Sequence, residues 1–277
     1  MTLSQLLAST SGDTAQTNAA PAAVAEDAPR YSLLVARDNE EVVAAQRLRY
    51  RVFAEEMGAT LDGAIPGLDV DAFDAFCDHL VVRDDRTGEI VGTYRMLPPE
   101  RAREAGGLYS DTEFDLTALA DLRGSLVETG RSCVDVAHRS GAVVSLVWAG
   151  LARYMMLSGH RYLAGCASVP LADGGSYAAG VWDVVQAKHY APESVRVRPL
   201  QPWACDDIER PALATLPPLL RGYLRLGAKV CGPPAHDLEF GVADFLVLLD
   251  LHNLDQRYLT FFLGDRRGTT QMGSTSP

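Results

Sequence analysis

A strand, a long apolar helix and a second strand follow one another between Leu126 and Val169, with only a short polar turn between the first two. The first strand is LVETGRSCVD (126–135), the helix GAVVSLVWAGLARYMMLSG (141–159) and the second strand YLAGCASV (162–169). A helix set between strands commits this part of the chain to an α/β architecture. The helix is apolar nearly all round, so it is expected to be the central buried one, capped by Ser140 and stopped by Gly159. The first strand carries an anomaly, because Glu128 and Arg131 sit in a run that otherwise reads as core. An unpaired buried charge costs roughly several kcal/mol, so each of these is either paired or put to use.

The rest of the chain supplies a sheet for this unit. YSLLVARD (31–38) reads as a strand, and Asp38 as the N-cap of a helix with Glu41 in capping-box position. That helix continues through EEVVAAQRLRYRVFAEEM, with Ala45, Leu48 and Val52 as its inward stripe. HLVVRD and EIVGTYRML are two strands joined by the turn DRTG. Residues 98–124 read as irregular or as short helices. Later come a helix in YAAGVWDVVQAKH, a strand in SVRVRPL, a short helix in PPLLRGYLRLG, a strong strand in ADFLVLLDL and a helical turn in QRYLTFFLG. The expected fold is α/β, a mixed parallel and antiparallel sheet flanked by helices, in one domain over residues 30–264. Residues 1–29, rich in Ala, Thr, Ser and Asp, read as a disordered tail, and 265–277 as a second tail.

Composition removes several classes of function. The net charge of −11 argues against nucleic acid, since phosphate binding needs a basic surface. Five scattered cysteines without a C-x-x-C pair read as reduced thiols of a cytosolic protein. Six histidines show neither H-x-H nor H-E-x-x-H spacing, so no metal is expected. No window reads as a run of about 18 apolar residues able to span a membrane, and the N-terminus lacks a basic n-region and an apolar h-region.

The chemistry concentrates around residue 128. A strand has a period of two, so Glu128 and Arg131 would face opposite sides unless a bulge near Thr129–Gly130 brings them round. HRSGAV then runs into a helix N-terminus, where free N–H groups suit a phosphate. A carboxylate on the strand and an anion seat on the turn form a layout for a transferase that uses a thioester on a phosphopantetheine arm. Simple ion pairing of Glu128 and Arg131, with each other or with neighbours, is the equal alternative. Upstream, LRYRVFAEE carries Arg49, Arg51 and Phe53, and DVDAFDAFCDHL carries Asp69, Asp71, Asp74 and Asp78. The acidic stretch reads either as a solvated loop or as a seat for a cationic amine. Arg95 lies near the end of a core strand, as a partner for one of those aspartates.

RYRVF, DAFD with HLVV, VGTYRML and ETGRSCVD, in this order and spacing, resemble the bacterial N-acyltransferases built on the GNAT fold. Two branches share the series: the acyl-homoserine-lactone synthases and the ornithine-lipid, hemolysin-like branch that N-acylates ornithine to lyso-ornithine lipid. CDHLVV, VWAGLARYM and LLRGYLRLGAKVCGPPAHDLEFGVADFLVLLDL are similar to the second, and no Trp lies between Phe53 and Asp71, where the synthases carry one. The resemblance covers roughly residues 31–263. It departs from the usual phosphate loop Q/R-x-x-G-x-G/A, of which only RSGA is present. It implies a bulged fourth strand that splays from the fifth to admit the acyl-carrier arm. It also implies Glu128 as general base, with Arg51, Phe53, Asp71, Asp74, Arg95 and Arg131 as substrate-binding residues. Arg95 or Arg131 would grip the substrate carboxylate, and Asp71 or Asp74 the distal ammonium. Arg139, Ser140, Gly141 and Ala142 would hold the phosphopantetheine. The expected partners are acyl carrier protein (or an acyl-CoA) as cosubstrate and an ornithine-like amino acid. No cofactor is expected, and membrane contact only peripherally at the inner face, through the lipid product. A homoserine-lactone synthase and a non-catalytic carrier-binding module are the alternatives.

Overall fold

In the computed structural model of the chain, residues 6–9, 30–61, 63, 65–139 and 141–254 are described. One mixed sheet organises them. Its strands are β1 (Leu6–Ser9), β2 (Tyr31–Val35), β3 (Asp78–Asp84), β4 (Ile90–Leu97), β6 (Leu126–Val134), β7 (Tyr162–Pro170), β9 (Lys229–Val230), β10 (Ala235–Asp237) and β11 (Val242–Asp250). The order is β1-β2-β3-β4-β6-β7-β11-β10, with β9 also on β11, and β5 (Phe114–Asp115) pairs separately with β8 (Arg198–Pro199). All these pairings are antiparallel except β6 with β7. The one parallel junction follows from the long helix between those strands, α3 (Gly141–Ser158), because a parallel neighbour needs a crossover.

Strand alternation divides the core between the two faces. On one face Tyr31, Leu33, Val35 and Val127 pack with Val147, Leu151 and Tyr154 of α3 and with residues of α4 (Ser176–Lys188) and α5 (Pro218–Arg225). On the other, Leu34 and Val81 pack against Ala45 and Leu48 of α1 (Asn39–Tyr50). Farther along the second face, Leu126, Ala164 and Leu246 meet the segment that follows α2 (Pro99–Glu104). Asp38 caps α1, its side chain accepting from the Glu41 N–H at 3.0 Å, and the Glu41 carboxylate accepts from the Arg37 N–H at 2.8 Å. The helix does not end at Tyr50 but widens into a π-turn over Arg51–Glu56, a feature frequent at functional sites.

Three expectations need correction. Helix α3 is long and apolar enough to cross a membrane by length and composition, yet it is a core helix with one buried face. Met156 on its outer face, and Val144 and Leu157 near its two ends, are exposed, because only one side of a helix can meet a sheet. Within the stretch read as a tail, Leu6–Ser9 pairs antiparallel with β2, whose free edge offers unpaired N–H and C=O groups to any extended segment. The other residues of 1–29, the turn in QRYLTFFLG and residues 265–277 lie outside the described ones. SVRVRPL is a strand only at its two-residue β8, preceded by a 3₁₀ turn over Glu193–Val195.

The β6–β7 junction positions everything that follows. The strands pair only at Leu126, Val127 and Glu128 with Tyr162, Leu163 and Ala164, and then part. At the parting point a Cβ on Gly165 would lie 2.2 Å from the Thr129 carbonyl oxygen, so only glycine permits the approach. Gly165→Ala is expected to cost about 1–3 kcal/mol, read as a lower urea midpoint, because backbone rather than a flexible side chain must move. An unchanged midpoint would mean that the strands separate freely there.

Candidate active site

Arg49, four residues after Ala45 and four before Phe53, turns inward with the apolar stripe of α1 and is fully buried. Its Nε donates to Asp69 at 2.9 Å, its Nη1 and Nη2 to the two oxygens of Asp74 at 2.8 and 2.7 Å, and Nη2 also to the Asp69 carbonyl. Arg95 of β4 donates to Asp71 at 2.6 Å and to Asp74 at 3.1 Å. Arg131 approaches Asp69 and Asp71 at 3.3 and 3.4 Å, and its guanidinium lies 5.1 Å from the Tyr109 ring centroid and 4.7 Å from that of Phe240. Burial works against ionisation of Asp74, but Arg49 and Arg95 outweigh it and hold the carboxyl well below its usual range. Burial likewise opposes the charge on Arg95, and Asp71 and Asp74 overcome it and push the value up.

This interlocked cluster revises the roles read from the sequence. Asp71 and Asp74 both pair with arginines, so an amine seated there would share carboxylates already bonded to Arg95 and Arg49, with Asp71 Oδ2 the one oxygen of the two residues that accepts no hydrogen bond among the described residues. Arg51 lies outside the site, half exposed and paired with Asp135 at 3.2 Å. Two residues of helix rotate a side chain by about 200°, so Arg49 and Arg51 cannot share a face. The inward stripe through Ala45 and Leu48 already pointed to Arg49. Phe53 does reach the site, edge-on to Phe240 with centroids 5.8 Å apart.

Glu128 and Arg131 reach one cavity, as the bulge requires, but the bulge lies farther along. Arg95 pairs with Gly130 and Thr93 with Cys133, so the extra residue of β6 falls at Arg131–Ser132 and not at Thr129–Gly130. Its signature is φ +52° at Arg131, a left-handed conformation rarely held by a non-glycine residue outside functional sites. Parity reports the same inversion: Val127 packs against α3, whereas Cys133, six residues on, packs with α1 on the opposite face. Gly130 needs no special backbone freedom, and a Cβ there would meet open space.

Glu128 is not paired with Arg131. Its two carboxylate oxygens accept from the main-chain N–H groups of Tyr109 (2.6 Å) and Ser110 (2.8 Å). These lie at a 3₁₀ turn, Tyr109–Thr112, inside the stretch read as irregular. Burial raises the Glu128 pKa, and the bonds from Ser110 and Tyr109 and the charge of Arg95 offset only part of that. Two donors fix the carboxylate and leave it further lone pairs to accept a proton.

The cavity has a volume of about 330 Å³ and opens where β6 leaves β7. Glu128, Arg131, Arg95, Tyr109, Phe53 and Arg139 border it. It also takes in Asp237 and Asp244, which sequence reasoning missed. Asp244 was visible as an acid inside the apolar run ADFLVLLDL, the same anomaly that marks Glu128. It is buried, and burial raises its pKa to about 6. Glu113, half-buried and close enough to feel both aspartates, is raised by burial to about 7.

The phosphate turn is less committed. Arg139 borders the cavity, but it pairs with both oxygens of Glu56 at 2.5 and 2.6 Å. Gly141 and Ala142 form the exposed first turn of α3, and Ser140 lies outside the described residues. No group of three His, Cys, Asp or Glu residues suited to a metal occurs among the described residues.

Comparison with known proteins gives this geometry a relationship. The acetyltransferase (GNAT) domain family matches residues 48–149. The chain is 36% identical over 250 residues to an L-ornithine N(alpha)-acyltransferase of Rhodobacter capsulatus, covering 84% of this chain and 94% of the relative. It is 35% identical to an enzyme of the same name from Brucella abortus, covering 82% and 87%. Among solved structures, FeeM, an N-acyl amino acid synthase from uncultured soil microbes, aligns with a TM-score of 0.52 at 15% identity over 83% of this chain and 94% of that one. That similarity is one of fold, a GNAT-like sheet flanked by helices. Identity above one third along most of both chains carries more, and by it this chain belongs to the L-ornithine N(alpha)-acyltransferase family.

Proposed function

We propose that this protein transfers a long-chain, 3-hydroxylated acyl group from acyl carrier protein to the α-amine of ornithine, giving a lyso-ornithine-type lipid. The observation that carries the reading is Glu128, a buried carboxylate of raised pKa held by two main-chain donors in the cavity where β6 and β7 part. The names of the relatives supply the acceptor.

In the reaction the amine nitrogen attacks the thioester carbonyl carbon, and Glu128, directly or through a water, takes the proton that the nitrogen loses. Negative charge develops on the carbonyl oxygen. The main-chain N–H groups of Arg131 and Ser132, displaced from the ladder register by the bulge, would serve as its donors. The C–S bond then breaks, the pantetheine sulfur leaves as thiolate and recovers a proton, and the amide remains. Arg131, flanked by two rings and only loosely paired with Asp69 and Asp71 at 3.3 and 3.4 Å, would offer its guanidinium to the substrate carboxylate. With Arg139 engaged by Glu56, the arm's phosphate would meet chiefly the main-chain N–H groups that begin α3. The exposed Val144, Met156 and Leu157 suit a protein that releases a one-chain lipid at the inner face of a membrane.

The purified protein with a 3-hydroxyacyl carrier-protein thioester and ornithine is expected to release thiol and form N-acylornithine, detected by mass spectrometry. N-acyl-homoserine lactone formed only with S-adenosylmethionine would move the protein to the synthase branch. Binding of the carrier protein without turnover on any amine would make it a binding module.

A further inference from the structure

Around the cavity, two carboxylates stand apart from the arginine–aspartate cluster. Arg49, Arg95 and Arg131 are matched by Asp69, Asp71 and Asp74. Asp237 and Asp244 border the same space with no arginine or lysine bonded to them among the described residues. Asp244 Oδ1 is buried without a hydrogen-bond partner, although the residue as a whole is only 2% exposed. The Oδ1 of Asp237 accepts from the N–H groups of Glu239 (2.9 Å) and Phe240 (3.0 Å), which fixes the carboxylate at the cavity edge. Glu113 lies close enough to feel both aspartates, and the charge of Arg131 acts on Asp244. A buried acceptor left unmade in a folded protein normally awaits a partner. Here a guest that brought a positive charge and several N–H donors would satisfy that acceptor and offset the charge of these two carboxylates at once. Both carboxylates sit on the β10–β11 hairpin, whereas Glu128 stands on β6, so the cavity separates two amine-handling positions.

We infer that Asp244 and Asp237 seat the side-chain ammonium of a diamino acid, and that this contact selects ornithine over neutral amino acids of the same length. The inference rests on the acyl-transfer reading of the same cavity. It moves the distal ammonium from the arginine-bound Asp71 and Asp74 to an acid pair without a bonded arginine or lysine among the described residues, where Ser168 bonds Asp244 but leaves its Oδ1 unpartnered. Hydrogen bonds to an ionised group discriminate strongly, because an analogue without the ammonium leaves the buried acceptor unpaired.

The test is calorimetric binding of ornithine and of norvaline, which has the same carbon chain without the terminal amine, alongside turnover of each. Wild-type protein is expected to prefer ornithine by about 10²-fold or more, and Asp244→Asn to reduce that preference by about 10- to 100-fold. Asp237→Asn, which keeps the Oδ1 bonds, should act in the same direction and serves where Asp244→Asn does not fold by circular dichroism. Equal binding of the two ligands by the wild type, or an unchanged preference in the folded variants, overturns the seat. Wild-type protein that binds ornithine preferentially but forms no amide retains the seat and overturns the transfer reading. Protein that acylates both ligands alike keeps the transfer and loses the seat.

Discussion

A Glu128→Gln variant is expected to turn over ornithine about 10²- to 10⁴-fold more slowly than the parent, the usual contribution of a positioned general base. The substitution is not structurally silent. Both oxygens of Glu128 accept a main-chain N–H, and an amide offers only one oxygen, so its NH₂ must oppose either Tyr109 or Ser110. One buried N–H is left unmade, at a cost of about 1–3 kcal/mol. Part of that is recovered, because burial already works against the ionised form of Glu128. The folded fraction at assay temperature should therefore stay high, and denaturation curves measured beside the kinetics check this. The pH profile separates the two roles. In the parent, activity falls on the acid side as Glu128 takes up a proton, at a higher pH than for an ordinary carboxylate because burial has raised its pKa. In the variant, the rate should climb about tenfold per pH unit up to the amine pKa, since free amine is then supplied by solution. A loss of activity that tracks the unfolded fraction and does not recover with pH would leave Glu128 as a brace for the Tyr109–Ser110 turn.

Replacing Arg49 by methionine is expected to be the most destabilising single change at the site. The volume is roughly conserved, but Asp69 and Asp74 lose their principal cation while buried. Removing one partner of a buried ion pair costs about 3–5 kcal/mol, which for a chain of this size lowers Tm by roughly 10 °C. Arg49→Lys should fall between, because an ammonium carries the charge but cannot span both aspartates with a planar fork. Arg51→Ala, on the exposed side of the same helix, should leave Tm within about a degree. Acid stability gives a second readout. Asp74 has its pKa depressed in the folded state, so its contribution is present above the unfolded value of 3.8 and is lost as pH falls through the folded one. The Met variant should lack that contribution, so its deficit against the parent should be largest near neutral pH and should narrow as pH falls below 3.8. A Tm unchanged by Arg49→Met would show that Arg95 and Arg131 suffice for the cluster.

The elements were legible because each rests on local pattern. Period-two runs gave β2, β3, β4, β6 and β11, the capping box at Asp38 gave the start of α1, and the apolar run after residue 140 gave α3. Glu128 and Arg131 stood out for a local reason too, as charges inside a core strand. What the sequence could not determine depends on which distant groups share a cavity. The N–H groups that hold Glu128 come from an irregular turn 18 and 19 residues earlier, a stretch with no periodicity to read. The helix phase that buries Arg49 and exposes Arg51 was readable from Ala45 and Leu48, but its partners Asp69 and Asp74 were fixed only when that loop folded under α1. The bulge moved from Gly130 to Arg131 because ion pairs with Asp69 and Asp71, and two flanking rings, hold a backbone conformation that residue type alone disfavours. Asp237 and Asp244 joined Glu128, more than a hundred residues away, through strand order. β11 lies beside β7, β7 parts from β6 after Glu128, and the gap so opened collects side chains from both. Local pattern determined which segments would be strands and helices; only the splay of the sheet, a tertiary property, decided which carboxylates would face one another across it.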